Sequence, residues 1–261
     1  MHPAINLGSR PISLYAIFNG LAVVVVFVGV RLRTHTWEYS RSIHDTINAI
    51  FQALLGAAIG AWLVVRVPMG VECLLGRRAG TDLLHGGLNW LGAVTGGSVA
   101  GYLYCRRNDL PAGKAFDLFA PVVPLAHAVG RVGCLLTGCC YGKETSAWPA
   151  MVLPDYSGVW ASRYPTRIVS IAANVLIFLI LVAFERYAVK RKSKGWPFEG
   201  FLFLAYAELY CLQRFLFEFW RADMLVLFGP FTWNHLYCAA GIVWASIAVV
   251  RGLRASGGTV D

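Results

Sequence analysis

The stretch AFDLFAPVVPLAHAVGRVGCLLTGCCY, residues 115–141, decides how this chain is organised. It is long enough to cross about 30 Å of hydrocarbon, which takes roughly 20 mostly apolar residues, yet Pro121, Pro124 and several glycines interrupt it. Such interruptions are tolerated at bilayer depth where the backbone faces protein or a wet cavity. Counting it as a span makes seven, near residues 13–30, 46–65, 84–104, 115–141, 166–186, 199–220 and 232–250. The basic residues between spans test that count. One set of alternate segments holds 13 Lys and Arg, among them Arg31, Arg33, Arg106, Arg107 and the run at 186–194; the other holds 6, namely Arg10, Arg66, Arg77, Arg78, Lys143 and Arg163. The positive-inside rule then predicts an N-terminus outside and a C-terminus in the cytoplasm. Dropping the fourth span would put the strongly basic 186–194 segment on the wrong side.

Composition agrees. The 261 residues are 57% hydrophobic and 14% charged, with a mean hydropathy of +0.57, against roughly 45–50% apolar and about 25% charged in a soluble domain. The expected fold is all-α and polytopic, a single transmembrane domain over 1–261 with no room for a sizeable extramembrane domain. The first apolar run has its basic flank after it and no evident small-residue cleavage site, so it reads as a retained helix and not a signal peptide. The net charge of +9 lies at the ends of apolar runs, which marks topology and contacts to anionic lipid, not nucleic acid. Seven Cys, several inside apolar runs, do not make a secreted disulfide framework.

Four of the 23 Lys and Arg belong to neither set: Arg131, Arg167, Arg214 and Arg221, all within or at the ends of apolar runs. An Arg at the centre of a membrane helix costs about 2.5–3.5 kcal/mol on insertion scales, so each needs a partner or water. In AELYCLQRFLFEFWRAD, residues 207–223, the residues Tyr210, Arg214, Glu218 and Arg221 fall on one helical stripe. Glu218 can pair with Arg214 one turn before it and with Arg221 three residues on, which leaves positive charge over. That surplus either pins helix to helix or takes an anion. Phosphate suits it, because a guanidinium presents a planar fork to phosphate oxygens and stays charged when desolvated.

Two further motifs join this one. In HAVGRVGCLLTGCCYGKET, residues 127–145, His127, Arg131 and Cys134 recur at helical spacing, and Gly130, Gly133 and Gly138 allow close approach of a ligand or another helix. Arg131 is the second phosphate ligand. Cys134, Cys139 and Cys140 lack CxxC spacing, so neither metal nor cofactor is expected; they read as buried filler or an outer-face disulfide. LLHGGLNWLGAVTGG, residues 83–97, puts His85 near the outer face, one turn before Asn89, with Gly86 and Gly87 leaving space beside an imidazole that can accept a proton near neutral pH.

Tyr15, HGGL at 85–88, Gly130-Arg131 with Gly133 and a closing Gly142, YPTRI at 164–168 and RFLFEFWR at 214–221 agree in order and spacing with one family. The chain resembles the prolipoprotein diacylglyceryl transferases, polytopic enzymes of the bacterial inner membrane. These move diacylglyceryl from phosphatidylglycerol to the lipobox cysteine of a prelipoprotein. The resemblance implies that His85 is the essential histidine, Arg131 and Arg214 the lipid-phosphate arginines, Glu218 their adjacent carboxylate, and Tyr15 and Tyr210 the site tyrosines. Phosphatidylglycerol and prelipoprotein signal peptides are the implied partners. Where the family has Asn and a later Glu, this sequence has Cys134 and Cys139, and Arg167 stands at a Gln-like position. Those departures make the cavity more basic and leave two other readings: a paralogue with another acceptor or lipid product, and a transporter or flippase for an anionic lipid or solute.

Overall fold

The computed structural model describes residues 4–7, 10–34, 43–76, 88–190 and 197–257. The chain is dominated by helices: α1 (Leu14–Thr34), α2 (Ile43–Leu74), α3 (Trp90–Arg107), α4 (Ala112–Phe119), α5 (Val122–Thr137), α6 (Thr166–Lys190), α7 (Phe201–Glu218) and α8 (Trp233–Gly257). Among the described residues, three antiparallel hairpins interrupt them: β1 (Ala4–Leu7) with β2 (Arg10–Ser13), β3 (Met151–Pro154) with β4 (Trp160–Arg163), and β5 (Val226–Phe228) with β6 (Phe231–Thr232). This is a polytopic membrane architecture. Among the described residues, five segments are long and apolar enough to cross a bilayer: Leu14–Thr34, Ile47–Leu74, Ala112–Thr137, Thr166–Tyr187 and Trp233–Ser256.

The Pro-interrupted fourth run is one of the five, and α4 passes into α5 across Ala120 and Pro121. Of its most apolar stretch 61% is buried, against 11% for Leu14–Thr34, which is where an interrupted backbone belongs in a membrane protein. It ends at Thr137, not at 141, because Gly138 turns left-handed at φ 78° and stops the helix. Helices α3 and α7 are 18 residues each and more polar, α7 through Glu208, Arg214 and Glu218, and neither is among the five. The third expected span, 84–104, begins as helix only at Trp90, where Asn89 accepts from the Leu91 amide at 2.9 Å; its residues 84–87 lie outside the described ones.

Two compact units divide the chain, Met1–Thr34 with Asp117–Asp261, and His35–Phe116. In the first, α1 packs on α5 and α5 on α6, while α7 lies between α6 and α8. One end is tied by Arg33, which pairs with Glu185 and donates to the Leu118 carbonyl at 2.8 Å, and by Asp117, which accepts from the Gly200 and Phe203 amides at 2.7 and 3.1 Å. In the second unit, α2 and α3 touch backbone to backbone through Gly56 and Gly60 against Gly92 and Gly96. Small residues four apart on each helix permit that contact, and dispersion across it replaces the hydrophobic drive that lipid does not supply.

A β-carbon at Gly60 would sit 2.2 Å from the Gly92 carbonyl oxygen. The Gly60→Ala variant is therefore expected to lose about 1–3 kcal/mol as the helices are forced apart, read as a lowered unfolding midpoint in detergent; a midpoint equal to that of the parent protein would refute the close crossing.

Candidate functional site

Helix α5 carries His127, Arg131 and Cys134 along one buried face. The Arg131 Nε donates to His127 Nε2 at 3.0 Å, and His127 Nδ1 lies 3.1 Å from Asn174 Oδ1 on α6. Asn174 is fully buried and its amide nitrogen donates to the Ser170 carbonyl at 2.7 Å, which turns its oxygen toward the histidine. A guanidinium has no acceptor, so Nε2 offers the lone pair and the ring proton sits on Nδ1, donated to Asn174. A chain of neutral groups thus orients Arg131, and no carboxylate pairs with it among the described residues.

At the end of α7 the Arg214 Nη2 pairs with Glu218 Oε2 at 2.7 Å, as the helical spacing predicts. The expected second pair, from Glu218 to Arg221, does not form. Helix α7 ends at Glu218, so three residues on is no longer one turn up the same face. Arg221 instead donates through Nε and Nη2 to both oxygens of Asp223, at 2.9 and 2.8 Å. The other oxygen of Glu218 accepts from Thr232 Oγ1 at 2.7 Å and Asn234 Nδ2 at 2.9 Å, where β6 meets α8. Glu218 is 1% exposed, with one carboxylate oxygen paired to Arg214 and the other on two neutral donors, the condition under which a buried charge is tolerated.

Arg131, Arg214, Arg221 and Tyr210 line one cavity together with Cys140. Ser170 and Thr166 of α6 and Gln213 of α7 add hydroxyl and amide groups to its wall. The structure therefore brings the two arginines expected to grip a phosphate to a shared space. Three guanidinium groups face it while two carboxylates, Glu218 and Asp223, balance them. The surplus positive charge belongs to Arg131.

Against this geometry the comparisons with known proteins are decisive. A family model described as prolipoprotein diacylglyceryl transferase matches residues 2–251. The chain belongs to that family. A Clostridium tetani protein named phosphatidylglycerol-prolipoprotein diacylglyceryl transferase is 36% identical over 207 residues, which is 78% of each chain. Proteins of the same name from Dehalococcoides mccartyi and Frankia alni are 26% identical over 223 residues and 29% identical over 257. The first covers 84% of this chain and 82% of its own length, the second 95% and 66%. This protein is a transferase by family.

Other residues expected at the transferase site have varied placements. Gly130 and Gly133 face α1, where a β-carbon on Gly133 would meet Phe18 Cβ at 3.0 Å, so they serve helix packing and not the cavity. His127 stands behind Arg131. Tyr15, on α1, has the sulfurs of Cys134, Cys139 and Cys140 as electrostatic neighbours. Gly142 pairs with Arg221 in an antiparallel bridge, and a β-carbon there would lie 2.2 Å from the Tyr164 carbonyl oxygen. That bridge, with Lys143 N donating to the Trp220 carbonyl at 2.8 Å, fixes Cys140 against the segment that carries Arg221. Arg167 is 1% exposed and donates through Nη2 to the Pro154 carbonyl at 2.7 Å, away from the cavity lining. Asn89 caps α3 in the other unit, and His85, Gly86 and Gly87 lie outside the described residues. Sequence reasoning missed Asn174, Asp223, Thr232 and Asn234; each is a polar residue beside or within an apolar run, the same signal that exposed the arginines.

Removing the Glu218 carboxylate would leave Arg214 buried without its counter-ion. The Glu218→Ala variant is expected to lose about 3–5 kcal/mol of stability, and Thr232→Val, which deletes one neutral donor, about 1–2 kcal/mol. Unfolding of the purified variants checks the order; equal losses would mean that the carboxylate is not the hub.

Proposed function

We propose that this protein transfers diacylglyceryl from phosphatidylglycerol to the lipobox cysteine of a prelipoprotein, at a phosphate clamp formed by Arg131 and Arg214. The observation that carries the reading is Arg131, a buried guanidinium oriented by His127 that shares a cavity with Arg214. The thiolate sulfur attacks the glyceryl carbon that bears the phosphodiester; the carbon–oxygen bond breaks, a thioether forms and glycerol phosphate leaves. Two forks aimed at the phosphate stabilise the charge that builds on the departing oxygen, and preorganised donors in a dry site are worth several kcal/mol there. His85 is the residue assigned to take the proton of the incoming thiol, since the thiolate is the nucleophile. Glu218 and Tyr210 hold Arg214, and Arg221 guides the headgroup. Tyr15, Asn89, Gly86 and Gly87 are further residues assigned to substrate binding, and Gly142 holds the strand beside Arg221.

The setting proposed is the bacterial inner membrane, with the N-terminus outside and the C-terminus in the cytoplasm. Helices α3 and α7 also cross, giving seven spans in one transmembrane domain. At 1.5 Å per residue, 18 residues reach about 27 Å, close to the hydrocarbon thickness. The polar stripe of α7 faces protein, which suits a crossing helix with charge on one side.

In nanodiscs containing phosphatidylglycerol and a lipobox peptide, mass spectrometry is expected to show the diacylglyceryl mass added to the peptide cysteine. Arg131→Ala and Arg214→Ala are expected to cut the rate by about 10²–10³-fold, the usual loss on deleting a charge-stabilising donor; full activity in either one discards the clamp. His85→Gln is expected to lose the rate at pH 7 and regain most of it above about pH 9, where the peptide thiol ionises unaided. A loss that persists at high pH would remove the histidine from the role of base.

A further inference from the structure

Three cysteines that the transfer does not use converge beside the clamp. Cys134 lies in the last turn of α5; the chain then turns left-handed at Gly138, φ 78°, and again at Cys140, φ 59°. A side chain with a β-carbon adopts that second conformation rarely, so the turn is held from outside. Thr166 Oγ1 donates to the Cys140 carbonyl at 2.9 Å, and the Gly142–Arg221 bridge anchors the next residues. The result folds Cys139 and Cys140 back over Cys134, and the three Sγ atoms lie within 4.8 Å of one another. Buried filler explains one such cysteine. A disulfide would use two and strand the third.

The charges around the sulfurs point the same way. Arg131 and Arg221 line the same cavity as Cys140. Arg167 has all three sulfurs as neighbours, and its buried Nε and Nη1 have no hydrogen-bond partner among the described residues. Buried guanidinium donors left over beside thiols call for a sulfur centre that carries negative charge. The group consists of cysteines alone, so a bound ion finds three sulfur ligands and no imidazole or carboxylate. Zn(II) prefers four ligands in a tetrahedron, whereas thiolates select the soft ion Cu(I).

We propose that Cys134, Cys139 and Cys140 form a three-thiolate site for Cu(I), held in place by the donors of Arg131, Arg167 and Arg221. Each thiol gives up its proton as its bond to the metal forms. Metal–sulfur bonds of about 2.3 Å put the sulfurs of a trigonal centre about 4 Å apart, so the thiols need to contract by less than 1 Å. Three thiolates and one monovalent ion leave two negative charges for the arginines to receive. The site rests on the thiol geometry and not on the lipid reading.

The test is an anaerobic titration of the reduced, purified protein in detergent with Cu(I), against a Cu(I)-specific chelator, with Zn(II) titrated in parallel. One Cu(I) per chain is expected, with near-ultraviolet sulfur-to-copper absorption and three sulfurs at about 2.3 Å by X-ray absorption. Each of Cys134→Ser, Cys139→Ser and Cys140→Ser is expected to weaken binding at least tenfold. Arg167→Gln, which leaves all three sulfurs, is expected to weaken it less. Uptake no greater than that of the triple serine variant overturns the site, as does a single serine variant with undiminished affinity or a metal bound by fewer than three sulfurs. Stoichiometric displacement of Cu(I) by Zn(II) also overturns it, as does a disulfide within the trio in protein alkylated directly from cells.

Discussion

A guanidinium buried among apolar helices without a carboxylate of its own is the constraint that organises this protein. Arg131 is 8% exposed, and its Nε is bonded to the neutral ring of His127. Charge in such a place costs several kcal/mol unless something answers it. The arginines across the cavity do not compete for the same compensation: Arg214 takes Glu218, and Arg221 takes Asp223. What remains unanswered in the folded protein is the charge of Arg131, which the proposed function assigns to a lipid phosphate.

Much of the remaining structure holds that imbalance steady. Asn174 fixes the tautomer of His127 from the neighbouring helix, so Arg131 is aimed by groups that cannot neutralise it. Thr232 and Asn234 saturate Glu218, which keeps the carboxylate on Arg214 and away from Arg131. The 138–165 segment returns over the end of α5 and pairs with the residues after α7, where Trp220 stacks between Tyr164 and Phe217 at 5.5 Å from each. Such packing around a functional group is what converts a flexible arginine into a preorganised one.

The helical membrane class and the burial of the four arginines were legible because bilayer physics is severe: apolar length writes the helices, and any charge inside them stands out. The 115–141 run was readable as a span despite its prolines, since the basic segment after the next span fixes its parity. Finer points depended on where helices stop. The Glu218–Arg221 pair assumed that α7 continues, but the helix ends at Glu218 and the next residues pair with Gly142, an interaction between positions about 80 apart that no local pattern encodes. Cys134, Cys139 and Cys140 stood out in the sequence, but their linear spacing matches no metal motif, and only two left-handed residues bring the three sulfurs together. Gly56 and Gly60 carried a readable small-residue spacing, but only the contact shows which helix it meets.

Clamp and thiols share residues, and that sharing has a thermodynamic consequence. Arg131, Arg221 and Cys140 all line the cavity, and Cys140 also belongs to the thiol trio. A copper–thiolate centre with two negative charges would draw on the same positive potential that binds a lipid phosphate. Two ligands that use one surplus oppose each other, and the opposition is reciprocal: whatever factor the metal takes from lipid affinity, lipid takes from metal affinity. By the resemblance drawn from the sequence, two of the three thiols stand where the family carries an amide and a carboxylate. Protonated thiols leave the cavity more positive than that pattern would, and the metal-bound form makes it less so. On this view, the substitution of cysteine makes the charge of the clamp depend on whether the three sulfurs are occupied.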